Sequence, residues 1–113
     1  MHEMSICEGI IQVLEDQART QHYNKVKTVF LEIGPLAMIE TDALRFCFEA
    51  VTRNTLAEKA RLEIIELPGL AWCLQCAKTV AISKRYDACS ECGSYQLQVT
   101  QGEELRIKEL EVE

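Results

Sequence analysis

The residues best able to do chemistry in this 113-residue chain are six cysteines and two histidines. Cys73, Cys76, Cys89 and Cys92 follow the pattern C-x2-C-x12-C-x2-C. Each C-x-x-C pair makes a tight knuckle that aims two sulfurs at one point. Two knuckles joined by a short hairpin close a tetrahedron of four thiolates, the environment a structural Zn²⁺ prefers. Gly93 suits the left-handed turn that ends such a knuckle. Four sulfurs leave no open coordination position, so this ion would not activate water. Its task would be to hold a segment with too few core residues to fold alone. The same sulfur set also accepts iron, as in an electron carrier, and in a secreted chain the cysteines could pair as disulfides. A thioredoxin-like site needs one C-x-x-C at a helix start within a βαβ unit, and neither pair sits that way.

The second candidate is the start of the chain. A histidine at position two can chelate a metal with its own backbone. The Met1 amine and the His2 amide nitrogen close a five-membered ring, and the amide with His2 Nδ1 closes a six-membered one. Three nitrogens then lie in a plane once the amide loses its proton. Planar nitrogen ligation suits Ni²⁺ or Cu²⁺ rather than Zn²⁺, and Glu3 or another nearby group can fill the fourth position. Alone this signal is weak, because termini ordinarily fray. Cys7 and Cys47 fall on apolar helical faces and read as buried small hydrophobes. His22 ends a helix, where its cationic form would complement the dipole. Trp72 is expected to pack on the zinc knuckle, and Lys84-Arg85 to sit in a solvated turn. The chain has no evident nucleophile–base pair and no Gly-rich phosphate loop, so it does not read as an enzyme.

These groups must be positioned by a small α+β fold. Ser5 to Gln21 reads as a helix, with Ser5 and Glu8 as a capping box and Ile6, Ile10, Val13, Leu14 and Ala18 as its apolar stripe. Lys25 to Ile33 alternates as a strand before Gly34-Pro35 breaks it. A second helix runs from about Thr41, with Thr41 and Asp42 as caps, to Arg53; Leu44, Cys47, Phe48 and Val51 form its stripe. Arg61 to Leu67 and Glu104 to Val112 read as strands. The last changes parity between Ile107 and Leu110, which points to a bulge or twist. The pattern predicts two helices packed on one face of a three-stranded sheet, interrupted by an inserted zinc-ribbon-like module carrying the four cysteines. The expected domains are 1–69 plus 97–113, an α/β domain carrying the N-terminal metal site, and 70–96, a zinc-binding domain.

Composition narrows the setting. Hydrophobic residues at 48% and charged residues at 27% are a globular balance. The formal charge is −6, and four thiolates around one Zn²⁺ would make it more negative still. Such a surface repels phosphate backbones and anionic membranes, so neither nucleic acid nor membrane is an expected partner. An apolar run long enough to span a bilayer is absent, as is an evident signal peptide. The cysteines then point to a reducing compartment, the cytoplasm.

The start Met1-His2-Glu3-Met4-Ser5, the strand ending Ile33-Gly34, the helix carrying Phe46-Cys47-Phe48-Glu49, the double C-x-x-C and the closing Leu105-Arg106-Ile107 together resemble one family. It is the HypA/HybF family of nickel-insertion accessory proteins for NiFe hydrogenase, and the resemblance covers essentially the whole chain. It implies a nickel metallochaperone that binds Ni²⁺ at Met1, His2 and Glu3 and Zn²⁺ at Cys73, Cys76, Cys89 and Cys92, so that the α/β domain is the nickel-binding one. An acidic residue before the second helix is linked to nickel in relatives, and Glu40 matches it. Implied partners are a HypB-type GTPase, the hydrogenase large subunit precursor and, in some bacteria, urease maturation proteins. A weak homodimer is compatible with this. Some relatives carry a histidine beside the zinc knuckles; here His2 and His22 are the only two. The competing reading is a zinc-ribbon protein-interaction module with no mobile metal.

Overall fold

A computed structural model describes residues 2–113; Met1, an expected nickel ligand, lies outside the described residues. The elements in chain order are α1 (Glu3–Gln21), β1 (Val26–Ile33), a 3-10 turn (Pro35–Ala37), α2 (Thr41–Val51), β2 (Arg61–Glu66), β3 (Gly69–Cys73), β4 (Lys78–Ile82), β5 (Leu97–Gln101) and β6 (Leu105–Val112). They form two three-stranded sheets, ordered β2-β1-β6 and β4-β3-β5. The last strand returns to the sheet of the first two, as the alternation predicts. The cysteine segment, expected as a hairpin, contributes a three-stranded sheet of its own.

Helix α1 starts two residues before the predicted capping box, which does not form. His2 is its N-cap, without a side-chain cap bond, and its carbonyl accepts from the Ile6 N–H at 3.1 Å. Glu3 in the first turn places a carboxylate at the positive end of the helix dipole, so Ser5 already lies inside the helix. The buried stripe is Cys7, Ile10, Ile11 and Leu14, spaced i, i+3, i+4, i+7. It is rotated from the predicted one, leaving Val13 41% exposed. His22 ends the helix in the left-handed region at φ 60°, donating its N–H to Ala18 O.

Helix α2 is capped by Glu40 rather than by Thr41 or Asp42. The Glu40 carboxylate accepts the Asp42 N–H at 3.3 Å. Leu44 and Phe48 are its buried residues.

The chain divides into two compact units. One comprises the described residues up to Leu31 with Ile39–Ile64 and Ile107–Glu113; the other comprises Glu32–Met38 and Ile65–Arg106. The first unit is cored by the α1 stripe, Leu44, Phe48, Val26, Val29, Leu31 and Leu62, all buried. Cys7 donates its S–H to Leu44 O at 3.5 Å. The second unit has two small clusters, Leu36, Ala71 and Ile82 with Leu97, and Cys73, Val80 and Cys89 with Cys76 and Leu97. Two glycines make its tightest backbone approach: a Cβ on Gly34 would stand 2.1 Å from Gly102 O, and Leu36 N–H donates to that oxygen at 2.8 Å.

Candidate metal centres

Strand β3 carries Ala71 and Cys73 inward and Trp72 outward, following the two-residue period of a strand. Trp72, on the opposite side of the strand from Cys73, is 39% exposed. β4 pairs with β3 in antiparallel register, Cys73 opposite Lys78 and Ala71 opposite Val80. The turn between them delivers Cys76. On its other side β3 pairs with β5, Cys73 opposite Leu97, with a shift in register between Leu70 and Ala71.

The two knuckles repeat one local geometry. In the first, Ala77 N–H donates to Cys73 O at 2.8 Å, and in the second Gly93 N–H donates to Cys89 O at 2.8 Å. Both donors are in the left-handed region, Ala77 at φ 54° and Gly93 at φ 76°. Backbone N–H groups also reach the sulfurs: Cys76 N–H to Cys73 Sγ at 3.3 Å and Glu91 N–H to Cys89 Sγ at 3.4 Å. Such donors stabilise thiolates. Gly93 is the turn residue that the sequence marks. Ala77 does the same work with a residue type that gives no signal.

All four sulfurs lie within 4.8 Å of one another, and Cys73, Cys76, Cys89 and Cys92 are the group of metal-binding side chains found among the described residues. Cys73 Sγ and Cys92 Sγ are 3.7 Å apart; Cys76 Sγ and Cys89 Sγ are 3.9 Å apart. A tetrahedral ion with metal–sulfur bonds of about 2.3 Å has edges of about 3.8 Å. The donor set and its dimensions thus fit one tetrahedral ion. The ionisation of the thiols is uneven. The N–H groups of Glu91 and then Cys92 pull Cys89 down to about 7. Hydrogen bonding to Cys92, followed by burial, pushes Cys76 up to about 12. Four adjacent thiolates repel one another, and a dication at their centre supplies the compensating charge. Lys78 bridges to Glu91 at 2.6 Å, an exposed pair that adds little.

The N-terminal group is arranged differently. His2 is exposed. Glu3 Oε2 accepts the Glu40 N–H at 3.2 Å, so the entry points of α1 and α2 meet through two of the residues singled out in the sequence. The carboxyl of Glu3 is held below its ordinary range, first by its own backbone N–H and then by that of Glu40. His2, Glu3 and Glu40 do not assemble into a ready cluster of ligand atoms as the four cysteines do. Nothing in the residue pattern signals that Glu40 both caps α2 and donates its N–H to Glu3.

The profile of a family described as hydrogenase/urease nickel incorporation, metallochaperone, hypA, matches residues 1–112. The hydrogenase maturation factors HypA of Azotobacter chroococcum mcd 1 and of Azotobacter vinelandii are 71% and 69% identical over 113 residues, all of this chain and all of each relative. The solution structure of the Ni metallochaperone HypA from Helicobacter pylori superposes with a TM-score of 0.71 at 26% identity, covering 99% of this chain and 97% of that one.

Proposed function

The chain belongs to the HypA family of nickel-incorporation metallochaperones, and we propose that it carries Ni²⁺ at its N-terminus and delivers it to the hydrogenase large subunit precursor. As a maturation factor of this kind it is not an enzyme. In this reading Met1, His2 and Glu3 hold the cargo ion, with Glu40 beside them. Cys73, Cys76, Cys89 and Cys92 hold a structural Zn²⁺. A HypB-type GTPase supplies the nucleotide chemistry that this chain lacks, urease maturation proteins are further recipients, and the protein works in the cytoplasm. The α-helical unit is then the nickel-binding domain and the cysteine module the zinc-binding domain. None of the helices among the described residues is long and apolar enough to cross a membrane.

The observation that carries the reading is the contrast between two donor sets. The four sulfurs form a closed cage, three of them buried or half-buried, and a closed cage does not release its ion readily. His2 is exposed and is the N-cap of α1. An N-cap N–H has no partner within the helix, so a metal can replace the His2 amide proton without breaking a helical hydrogen bond. The partial positive charge at the start of α1 opposes a bound cation, and the Glu3 carboxylate offsets it. Few ligands, an opposing dipole and an exposed position favour modest affinity and stepwise transfer to a partner. Because protons compete for the amide and imidazole nitrogens, uptake should rise with pH.

The test is Ni²⁺ titration of zinc-loaded wild type and of His2→Gln, by calorimetry, with residual zinc measured on the same samples. One Ni²⁺ per wild-type chain is expected, with full retention of zinc and no uptake by His2→Gln. Equal binding by both proteins, or nickel entry only with zinc loss, would remove the N-terminal site.

A further inference from the structure

We propose that the cleft between α2 and the start of β2 binds a phosphorylated small molecule of nucleotide size. The cleft has a volume of about 500 Å³, within the range that holds small-molecule ligands and far more than a bare phosphate needs. Arg45 and Arg53 lie along one stripe of α2 and its C-terminal turn, eight residues apart with Glu49 between them. Lys59 enters from the following loop, and Phe48 and Leu62 lie behind the charges. With Glu49 and Glu58 also in the lining, three cations face two carboxylates, a net positive cleft in a chain whose formal charge is −6.

Three features indicate a cleft whose cations are held available. Among the described residues, neither Arg53 nor Lys59 enters an ion pair. Of the two carboxylates in the lining, Glu58 is turned onto the Asn54 N–H at 3.1 Å, and Glu49 enters no ion pair among the described residues. The Arg45 guanidinium is fixed by donation to Leu62 O, which leaves its remaining N–H groups for a ligand. The loop is also built to hold its shape. Thr52 Oγ1 donates to Phe48 O at 2.8 Å, Thr55 N–H to Thr52 O at 3.0 Å, Glu58 N–H to Thr55 O at 3.1 Å and Ala60 N–H to Ala57 O at 3.0 Å. Ala57 is fully buried.

Lys59 itself stands at φ 65°, a region that long side chains rarely occupy. A residue kept in such a conformation, on a rigid loop, at the position that supplies a cation, marks a site rather than a random surface lysine. Two guanidinium forks and one ammonium suit an anion with several oxygens, which is phosphate chemistry. The apolar wall of Phe48 and Leu62 and the surplus volume suit an attached organic body.

The test is calorimetric titration of zinc-loaded, nickel-free protein with ADP, inorganic pyrophosphate and adenosine. The expected result is saturable one-to-one binding of ADP, weaker binding of pyrophosphate and none of adenosine. Arg53→Gln and Lys59→Gly should each weaken ADP binding about tenfold. Lys59→Gly removes the cation while relieving the backbone, so a folding defect cannot account for its effect; circular dichroism and zinc content verify both variants. No saturable ADP binding at millimolar concentration, or binding unchanged in both variants, overturns the site. Pyrophosphate binding as tightly as ADP overturns the nucleotide-sized ligand.

Discussion

The repeated knuckle geometry sets two substitutions in opposite directions. Ala77 and Gly93 occupy equivalent left-handed positions, each closing its knuckle with a 2.8 Å bond to the first cysteine's carbonyl. An L-residue in that region is disfavoured by about 1–2 kcal/mol relative to glycine. Glycine loses about 0.5–1 kcal/mol more backbone freedom on folding than alanine does. The difference leaves Ala77→Gly stabilising by about 0.5–1 kcal/mol and Gly93→Ala destabilising by a similar amount. Steric contact does not complicate the second change, because a Cβ on Gly93 meets nothing within 4 Å. On the proposed zinc site, folding of the knuckles is coupled to the metal, so the effect appears in zinc affinity: about 1 kcal/mol is about a fivefold change in dissociation constant. Competition with a chromophoric chelator reads this directly. Ala77→Gly should hold zinc several-fold more tightly than wild type, Gly93→Ala several-fold less, and the double exchange should return close to wild type. Weaker binding by Ala77→Gly would refute the reasoning, since it would show that the left-handed backbone is not what limits the first knuckle.

Other perturbations have equally definite outcomes. Gly34→Ala forces a Cβ to 2.1 Å from the Gly102 carbonyl oxygen, a backbone atom that cannot swing aside, and should cost about 3 kcal/mol or more. Gly9→Ala, inside α1 with open space around it, should instead stabilise by about 0.5–1 kcal/mol; thermal melts of the two variants should move in opposite directions. The Cys7 thiol is raised to about 11, first by burial. A group with a raised folded-state value favours the fold below its unfolded value and loses that contribution as pH rises through the folded one. Between pH about 9 and 11 the wild type should therefore lose up to about 2–3 kcal/mol relative to Cys7→Ala, measured by denaturant unfolding of the zinc-loaded proteins. Removing zinc with a strong chelator should collapse amide protection across residues 69–101, because one of that unit's two clusters consists largely of cysteines; helix α1 should keep its protection.

What the sequence shows and what it hides follow from the range of the interactions involved. The cysteine cluster was legible because two C-x-x-C pairs encode their own local geometry, and the structure brings the four sulfurs together as expected. The helices were legible from their periodicity, although the α1 stripe is rotated from the expected one. Val13 is as apolar as its neighbours, and only the packing partner decides that Cys7 and Ile11 face the core while Val13 faces out. The strands of the cysteine module were hidden for a related reason. β5 reads Leu-Gln-Val-Thr-Gln and is largely exposed, so it has little apolar alternation to display, and its assignment rests on pairing with β3. The capping box at Ser5 and Glu8 satisfied every local rule, yet the helix begins at Glu3. The carboxylate of Glu3 serves both its own helix and the Glu40 N–H, 37 residues away, and no local rule anticipates that.

That Glu3–Glu40 contact bears on how a carrier protein could sense its cargo. The Glu3 carboxylate accepts the Glu40 backbone N–H, while Glu40 caps α2 through its own carboxylate. A cation that recruits Glu3 as a ligand must weaken or share the bond to the Glu40 N–H, and one that recruits Glu40 must compete with the cap of α2. On the proposed N-terminal site, a bound cation would therefore act on the first turns of both helices through the oxygens that accept the Glu40 and Asp42 N–H groups. The closed thiolate cage has no such competing duty for its sulfurs beyond weak N–H contacts. On the proposed function the two donor sets would differ in exchangeability, because the cysteine set devotes its sulfurs to one ion while the terminal set would have to withdraw its carboxylates from the fold to bind one.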